Sequence, residues 1–187
     1  SNKITGANTT STQQNGVSFA SGASGSVSKN TISNIGAFPG YLNAAGVVIG
    51  DYPGDPQIGA VTVQANTITN AEVGILVTGR AGANLTFVDA NTISNSTLVG
   101  IVVENSKNVT VNNNTITNTA GDGISIYYDG TDTQLNIVPM NGDSKLTVSG
   151  NKVIGTTSGG TYTAVGVSYP LGNGISVLSR TPAGPVT

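Results

Sequence analysis

A five-residue phrase, Asn-Thr-Ile-Ser/Thr-Asn, recurs along this chain and is each time followed by a Gly and an apolar triplet. Four full copies and two weaker ones occupy residues 30–34, 66–70, 91–95, 114–118, 2–6 and 151–155. A unit that repeats with a period of about 20–50 residues cannot bury its apolar face alone, so successive units must stack. The repetition therefore predicts a solenoid.

Each repeat contains three short segments. An alternating strand such as Val109-Thr110-Val111 precedes the turn that carries Asn-x-Ile, and Gly then leads into an apolar strand such as Ile124-Ser125-Ile126. Period-two alternation of Val, Ile and Thr indicates strands with one buried face. The repeated Asn residues lie 28, 36, 25, 23 and 37 positions apart, which fits a rung of about 23–25 residues with insertions at a few junctions.

The turn Asn-x-Ile/Val-x-Asn/Gly, followed by Gly-Ile/Val-x-Val, recurs about six times between Asn2 and Val177. In these motifs the chain resembles the right-handed parallel β-helices of the pectate-lyase-like superfamily. We therefore expect an all-β, right-handed parallel β-helix of about seven rungs, with residues 1–187 forming one domain that is a repeat unit or fragment of a longer assembly. The resemblance leaves activity open, since the superfamily holds lyases, hydrolases, epimerases, phage tailspikes and adhesive surface proteins.

One Asn in each turn forms a column along the predicted solenoid. In the resembling family such residues stack into an internal ladder in which each amide bonds the next rung. An Asn tolerates a left-handed backbone, and its amide can satisfy buried neighbours. We assign a structural role to this column, which consists of Asn30, Asn66, Asn91, Asn114 and Asn151.

Two rows of hydroxyl residues flank the Ile of each turn, for example Thr67 and Thr69. Alternation directs them outward on rungs about 4.8 Å apart. Some ice-binding β-solenoids present such an array, but Thr is also an ordinary exposed β-residue whose methyl packs on the next rung. Lys3 and Lys152 interrupt the two ends of the array.

Composition removes several classes of function. With 9% charged residues and a net charge of −2, the chain has no basic field for nucleic acid or anionic lipid. No apolar run approaches the roughly 20 residues that span a bilayer. The chain has no His and no Cys, which excludes His-dependent triads and the commonest nitrogen ligand of transition metals. We expect no metal, no cofactor, no nucleic-acid partner and no membrane insertion.

An enzyme on this scaffold would need carboxylates that converge. The candidates are Arg80, Glu104 and Asp129, which follow the apolar strands by one to three positions and would fall along one edge of the solenoid. Glycoside hydrolysis uses two carboxyl groups roughly 5–9.5 Å apart, a separation that Glu104 and Asp129 on adjacent rungs could reach. The simpler interpretation is a surface Arg that bridges two carboxylates. We therefore favour a protein without catalytic activity.

The same line of residues also offers candidate binding groups. Tyr127 and Tyr128 could provide stacking surfaces for sugar rings, and Asp51 precedes a Pro-Gly turn. The lyases that share this fold use an acidic calcium-binding cluster and an Arg base, and this chain lacks the usual cluster on adjacent strand positions. Glycans remain a possible partner under this interpretation.

The chain starts and ends within a rung. If the end of one copy precedes the start of another, Val186 lies three positions before Asn2, as Val148 lies before Asn151, and Ile4 matches Val153. We therefore expect head-to-tail stacking through Asn2, Ile4 and Val186. The function that we expect is an extracellular or cell-surface structural or adhesive solenoid with itself as partner. The alternative is a polysaccharide-active lyase or hydrolase, or a tailspike-like glycan-binding protein.

Overall fold

The computed structural model describes residues 1–8, 10, 12–36, 44–129, 145–157, 161–164, 167–170 and 172–180. Within these ranges the regular structure is β-strand. In chain order the strands are β1 (Lys3–Asn8), β2 (Asn15–Phe19), β3 (Gly25–Ser28), β4 (Thr31–Ile35), β5 (Ala45–Gly50), β6 (Val61–Gln64), β7 (Thr67–Ala71), β8 (Val73–Thr78), β9 (Thr86–Asp89), β10 (Thr92–Ser94), β11 (Val99–Glu104), β12 (Val109–Asn112), β13 (Thr115–Thr117), β14 (Ile124–Asp129), β15 (Leu146–Ser149), β16 (Lys152–Ile154), β17 (Thr161–Ala164), β18 (Val167–Pro170) and β19 (Ile175–Arg180).

Three parallel sheets surround a common interior. Sheet A contains β1, β4, β7, β10, β13 and β16, sheet B contains β2, β5, β8, β11, β14 and β19, and sheet C contains β3, β6, β9, β12 and β15. From β3 to β16 the chain visits the sheets in the order C, A, B, and each return to a sheet adds the neighbouring strand. This topology is a parallel β-helix, as expected from the repeats.

The described strands form six rungs, whereas the sequence indicated about seven. The difference arises because insertions take up length without adding rungs. One insertion, between β16 and β19, contains the antiparallel pair β17 and β18. The first rung has strands in sheets A and B only, so sheet C is one strand shorter than the other two.

Columns of β-branched side chains fill the interior. Period-two alternation turns the central Ile of each sheet A strand inward, and parallel pairing in register places these side chains above one another in the column Ile32, Ile68, Ile93 and Ile116. All four are fully buried in the main apolar cluster. Full burial of one such side chain stabilises the fold by roughly 1.5–3 kcal/mol.

The last Asn of the repeated phrase makes a turn. Asn34, Asn70, Asn95 and Asn118 have φ values of 58°, 54°, 56° and 55°, in the left-handed region that Asn tolerates better than most residues. Each follows the hydroxyl residue of a sheet A strand. The phrase therefore combines a ladder Asn, an inward Ile between two hydroxyl residues, and an Asn that redirects the chain toward sheet B.

The Gly before each apolar triplet is required by packing wherever another rung follows it. A Cβ built on Gly100 would lie 2.5 Å from the carbonyl oxygen of Gly123 and 2.6 Å from Cγ2 of Ile116. Real Cβ atoms are not found at such distances, so neither neighbour leaves room for a side chain. Gly is needed in this column because the backbone of the next rung passes directly beside it.

Candidate functional site

The column of ladder Asn residues runs the length of the described solenoid. Each Asn donates from both its backbone N–H and its Nδ2 to Oδ1 of the Asn on the next rung, in the order Asn2, Asn30, Asn66, Asn91, Asn114 and Asn151, at distances of 2.8–3.2 Å. The second Nδ2 hydrogen of Asn91 goes to the carbonyl oxygen of Val63 on the preceding rung, at 2.9 Å. From Asn30 to Asn114 the amides are buried, and with this many partners they hold rungs together and present nothing to a ligand.

Arg80 does not lie on the surface. Its side chain is 1% exposed, and its Nη1 donates to Oδ2 of Asp51 at 2.9 Å and to the carbonyl oxygen of Ile58 at 2.8 Å. Nη2 donates to the carbonyl oxygen of Gly59 at 3.0 Å, and Nε donates to Oγ1 of Thr86 at 3.2 Å. All three guanidinium nitrogens therefore donate hydrogen bonds to other groups of the protein.

Asp51 is equally committed. Its Oδ2 accepts from Arg80, and its Oδ1 accepts from the backbone N–H of Ile58 at 2.7 Å. The two side chains form a buried clamp that connects the loop between β5 and β6, at Ile58, to the first residue of β9, Thr86. The sequence predicts Arg80 at the surface and Asp51 as a binding group, whereas the structure places both in the interior, where neither is presented to solvent.

Glu104 lies at the end of β11, in register with Thr78 on one side and with Tyr127 on the other. Oγ1 of Thr78 donates to Oε2 of Glu104 at 3.2 Å, and the Glu104 side chain is 5% exposed. Asp129 stands two residues beyond Tyr127 in β14 and pairs with Arg180 of β19. The side chain of Asp129 lies outside the described part of the chain, and the pairing with Glu104 expected from the sequence therefore stays a prediction.

The two Tyr residues are also buried. Tyr127 and Tyr128 are 3% and 4% exposed, respectively, and Tyr128 packs in the main apolar cluster while its hydroxyl donates to the carbonyl oxygen of Ser106. A ring that stacks on a sugar needs an open face, and neither ring has one. The structure therefore does not support the sugar-stacking role that the sequence suggested for them.

Sequence reasoning overlooked the buried carboxylate of Asp122. Its Oδ1 accepts from the backbone N–H groups of Gly172 and Asn173, at 2.8 and 2.7 Å, and its Oδ2 accepts from the hydroxyl of Ser176. The sequence did contain a signal for this burial. Ile101 and Ile124 pair between rungs, and two residues before them an apolar Val99 on one rung is replaced by Asp122 on the next. With these partners the carboxylate anchors the last rung.

The two end rungs expose side chains that belong to the interior columns. Ile175 and Val177 of β19 pair in register with Ile124 and Ile126 of β14, which are buried. On the last rung, however, Ile175 is 48% and Val177 is 60% exposed. At the other end, Ile4, Val17 and Phe19 are only partly buried against the core. Both end faces are therefore apolar in the middle.

Within the described ranges, no three or more Asp or Glu side chains lie together in a way that could hold a metal ion. The same part of the chain contains no helix of the length and apolarity needed to cross a membrane. Val186, for which we expected a part in self-assembly, lies outside the described residues. Asn2 and Ile4, the other two residues of that prediction, lie on the first rung.

Comparison with curated proteins and with solved structures gave no match. A model of the right-handed beta helix region matches residues 1–180 of the chain. This range takes in every strand of the three parallel sheets and both end rungs, and it supplies the handedness of the coil. The chain belongs to the right-handed beta helix family.

Proposed function

We propose that this protein is a structural or adhesive β-solenoid that assembles end to end outside the cell or on its surface. The observation that carries the proposal is the exposure of Ile175 and Val177, which occupy positions that are buried on the neighbouring rung. Covering a half-exposed aliphatic side chain stabilises an interface by about 1 kcal/mol. Because each end face carries several such side chains, covering it with a further rung is more favourable than leaving it exposed to water.

The strand edges at the two ends support the same proposal. Sheets A and B end in β1 and β2 on one side and in β16 and β19 on the other. The outer edge of a parallel strand presents backbone N–H and C=O groups that pair readily with another strand. Because the two ends are different surfaces, a contact between them does not close and produces an open fibre.

Location outside the cell is part of the proposal and rests on composition. The chain has five Asn-x-Ser/Thr sequons, and Asn84 and Asn95 among them are exposed. A low fraction of charged residues is compatible with a rod that packs against other copies. Surface labelling of intact source cells would test the location directly.

Sedimentation velocity of the 187-residue chain over a wide concentration range tests the assembly. We expect a series of species that grows with concentration, and we expect Val177→Lys to abolish it by placing a charge on the apolar end face. Thr92→Lys is the matched control, because Thr92 is exposed on sheet A in the middle of the rod. A wild-type chain that stays monomeric at every concentration and ionic strength would rule the proposal out.

The polysaccharide-active alternative has less support. Of the residues on which it depended, the side chains of Arg80, Glu104, Tyr127 and Tyr128 are all buried. If one of these groups nevertheless served catalysis, Glu104→Gln would change cleavage in a screen of glycan substrates while leaving the thermal midpoint nearly unchanged. We expect no cleavage by either protein.

A further inference from the structure

The Asn ladder has a direction, and its two ends are complementary. In every step the Asn of the lower rung donates and Oδ1 of the Asn on the rung above accepts, so Asn2 begins the ladder as a donor and Asn151 ends it as an acceptor. Among the described residues, Asn151 has no Asn above it to receive its N–H, and Asn2 has no Asn below it to donate to its Oδ1. A second copy placed on the last rung would meet both needs at once.

Docking with no shift in register extends the pattern to the neighbouring atoms. Within the chain, the backbone N–H after each ladder Asn donates to the carbonyl oxygen of the Asn below, as Lys152 does to Asn114 at 2.8 Å. Between copies, Lys3 would donate to Asn151 in the same way. Nδ2 of Asn2 would reach the carbonyl oxygen of Val148, as Nδ2 of Asn151 reaches that of Val111 at 2.8 Å.

The same register brings like charges together. The outward column of sheet A reads Lys3, Thr31, Thr67, Thr92, Thr115 and Lys152. Only the two terminal rungs carry Lys in this column, and both Lys side chains are exposed. Docking with no shift therefore places Lys3 directly beside Lys152, and like charges directly opposite on paired strands repel.

Both end faces are basic although the chain as a whole has a net charge of −2. The first rung carries Lys3, and the described residues of the last rung include Lys145 and Lys152. The described residues of these two rungs include no Asp or Glu. Salt shortens the range of such repulsion, from about 30 Å at about 0.01 M ionic strength to about 3 Å at about 1 M.

We propose that a second copy of this chain docks on the last rung with no shift in register, and that repulsion between Lys3 and Lys152 makes this docking depend on ionic strength. The inference rests on the end-to-end assembly proposed above and names the partner and the control of that assembly. Stacks grow at high salt, where the apolar contact and the ladder hydrogen bonds act without opposition, and they shorten at low salt.

The first experiment exchanges the charge on one end face. Lys152→Glu turns the repulsive pair into an attractive one, and we expect the dissociation constant at low salt to fall by about tenfold and its salt dependence to reverse. The double variant Lys3→Glu with Lys152→Glu should restore the wild-type salt dependence. Lys107→Glu changes the net charge equally but lies between β11 and β12, so it serves as the control and should behave as wild type.

The second experiment measures the register directly, using the absence of Cys from the chain. Docking with no shift places residue 5 of one copy opposite residue 154 of the next, about 4.8 Å away. A protein with Thr5→Cys and Ile154→Cys should therefore form disulfide-linked ladders on mild oxidation. The pair Thr5→Cys and Lys152→Cys is offset by two residues, about 7–8 Å, which is too far for a bridge.

The outcomes separate the two proposals. Growth of wild-type stacks with salt, reversal of that trend in Lys152→Glu and linkage of the 5–154 pair would support the register and its control. Two results would overturn the register but not the assembly. One is stacking that does not differ between Lys152→Glu and Lys107→Glu, and the other is linkage of the offset pair. Monomers in the wild type and in Lys152→Glu at every ionic strength would overturn the assembly itself.

Discussion

Replacing Arg80 with Met tests whether the buried clamp is a structural device. Met is close to Arg in length and apolar, so the change removes the charge and the donors while largely preserving the packing. Asp51 would be left as a buried carboxylate without its ion pair, and the carbonyl oxygens of Ile58 and Gly59 would lose the hydrogen bonds that Arg80 donates. Removing one partner of a buried ion pair costs about 3–5 kcal/mol.

That loss is large beside the roughly 5–15 kcal/mol by which a domain is stable. Urea unfolding followed by circular dichroism should show a lower midpoint, and hydrogen exchange should show faster exchange of the Ile58 amide, which donates to Asp51. The double variant Arg80→Met with Asp51→Leu should regain part of the stability, because two apolar groups need no ion pair, although the Ile58 amide loses its acceptor. Lys107→Met is the control on a partly exposed loop.

The reasoning would be refuted by a cost below about 1 kcal/mol for Arg80→Met with an unchanged exchange rate at Ile58, since a solvated surface pair contributes about that much. It would also be refuted if the double variant were no more stable than the single one. In that case the buried carboxylate of Asp51 would not need Arg80 as its partner, and the buried ion pair would not contribute to the free energy of unfolding.

Three further substitutions probe the repeats and the last rung, the first two by chemical unfolding and the third by hydrogen exchange. Asn91→Ala should lower the free energy of unfolding by about 2–4 kcal/mol, because it leaves several buried donors and acceptors without partners; an effect below about 0.5 kcal/mol would mean that the ladder is incidental. Gly100→Ala should cost at least about 1–3 kcal/mol through overlap with the next rung, whereas Ala in place of the exposed, unconfined Gly174 should cost less than about 1 kcal/mol. Asp122→Ala should speed exchange of the Asn173 amide and leave sheet C unaffected; slow exchange there would show that Asp122 does not anchor the last rung.

The fold could be predicted from the sequence because its cause is local and repeated. The Asn turn, the inward Ile and the Gly before the apolar strand each recur with a fixed spacing, and period-two alternation specifies which side chains face inward. The number of rungs was predicted less accurately than the fold. A count based on length treats an insertion such as the one holding β17 and β18 as part of a rung.

The burial of the residues just beyond the sheet B strands, such as Arg80, was harder to predict for a different physical reason. Alternation describes side chains within a strand, but β8 ends at Thr78, and two residues later the chain has turned so that Arg80 points inward. The direction of a side chain beyond a strand end depends on the turn and on distant partners such as Ile58 and Gly59. The burial of Arg80 therefore left no trace in the local sequence.

The central claim is that this right-handed β-helix continues from one copy into the next. Electron microscopy of the purified chain at high ionic strength, with measurement of the axial repeat, tests it most directly. We expect unbranched fibres with a repeat of about 29 Å, which corresponds to six rungs at about 4.8 Å each. Discrete particles about one repeat long at every concentration and ionic strength would contradict the claim.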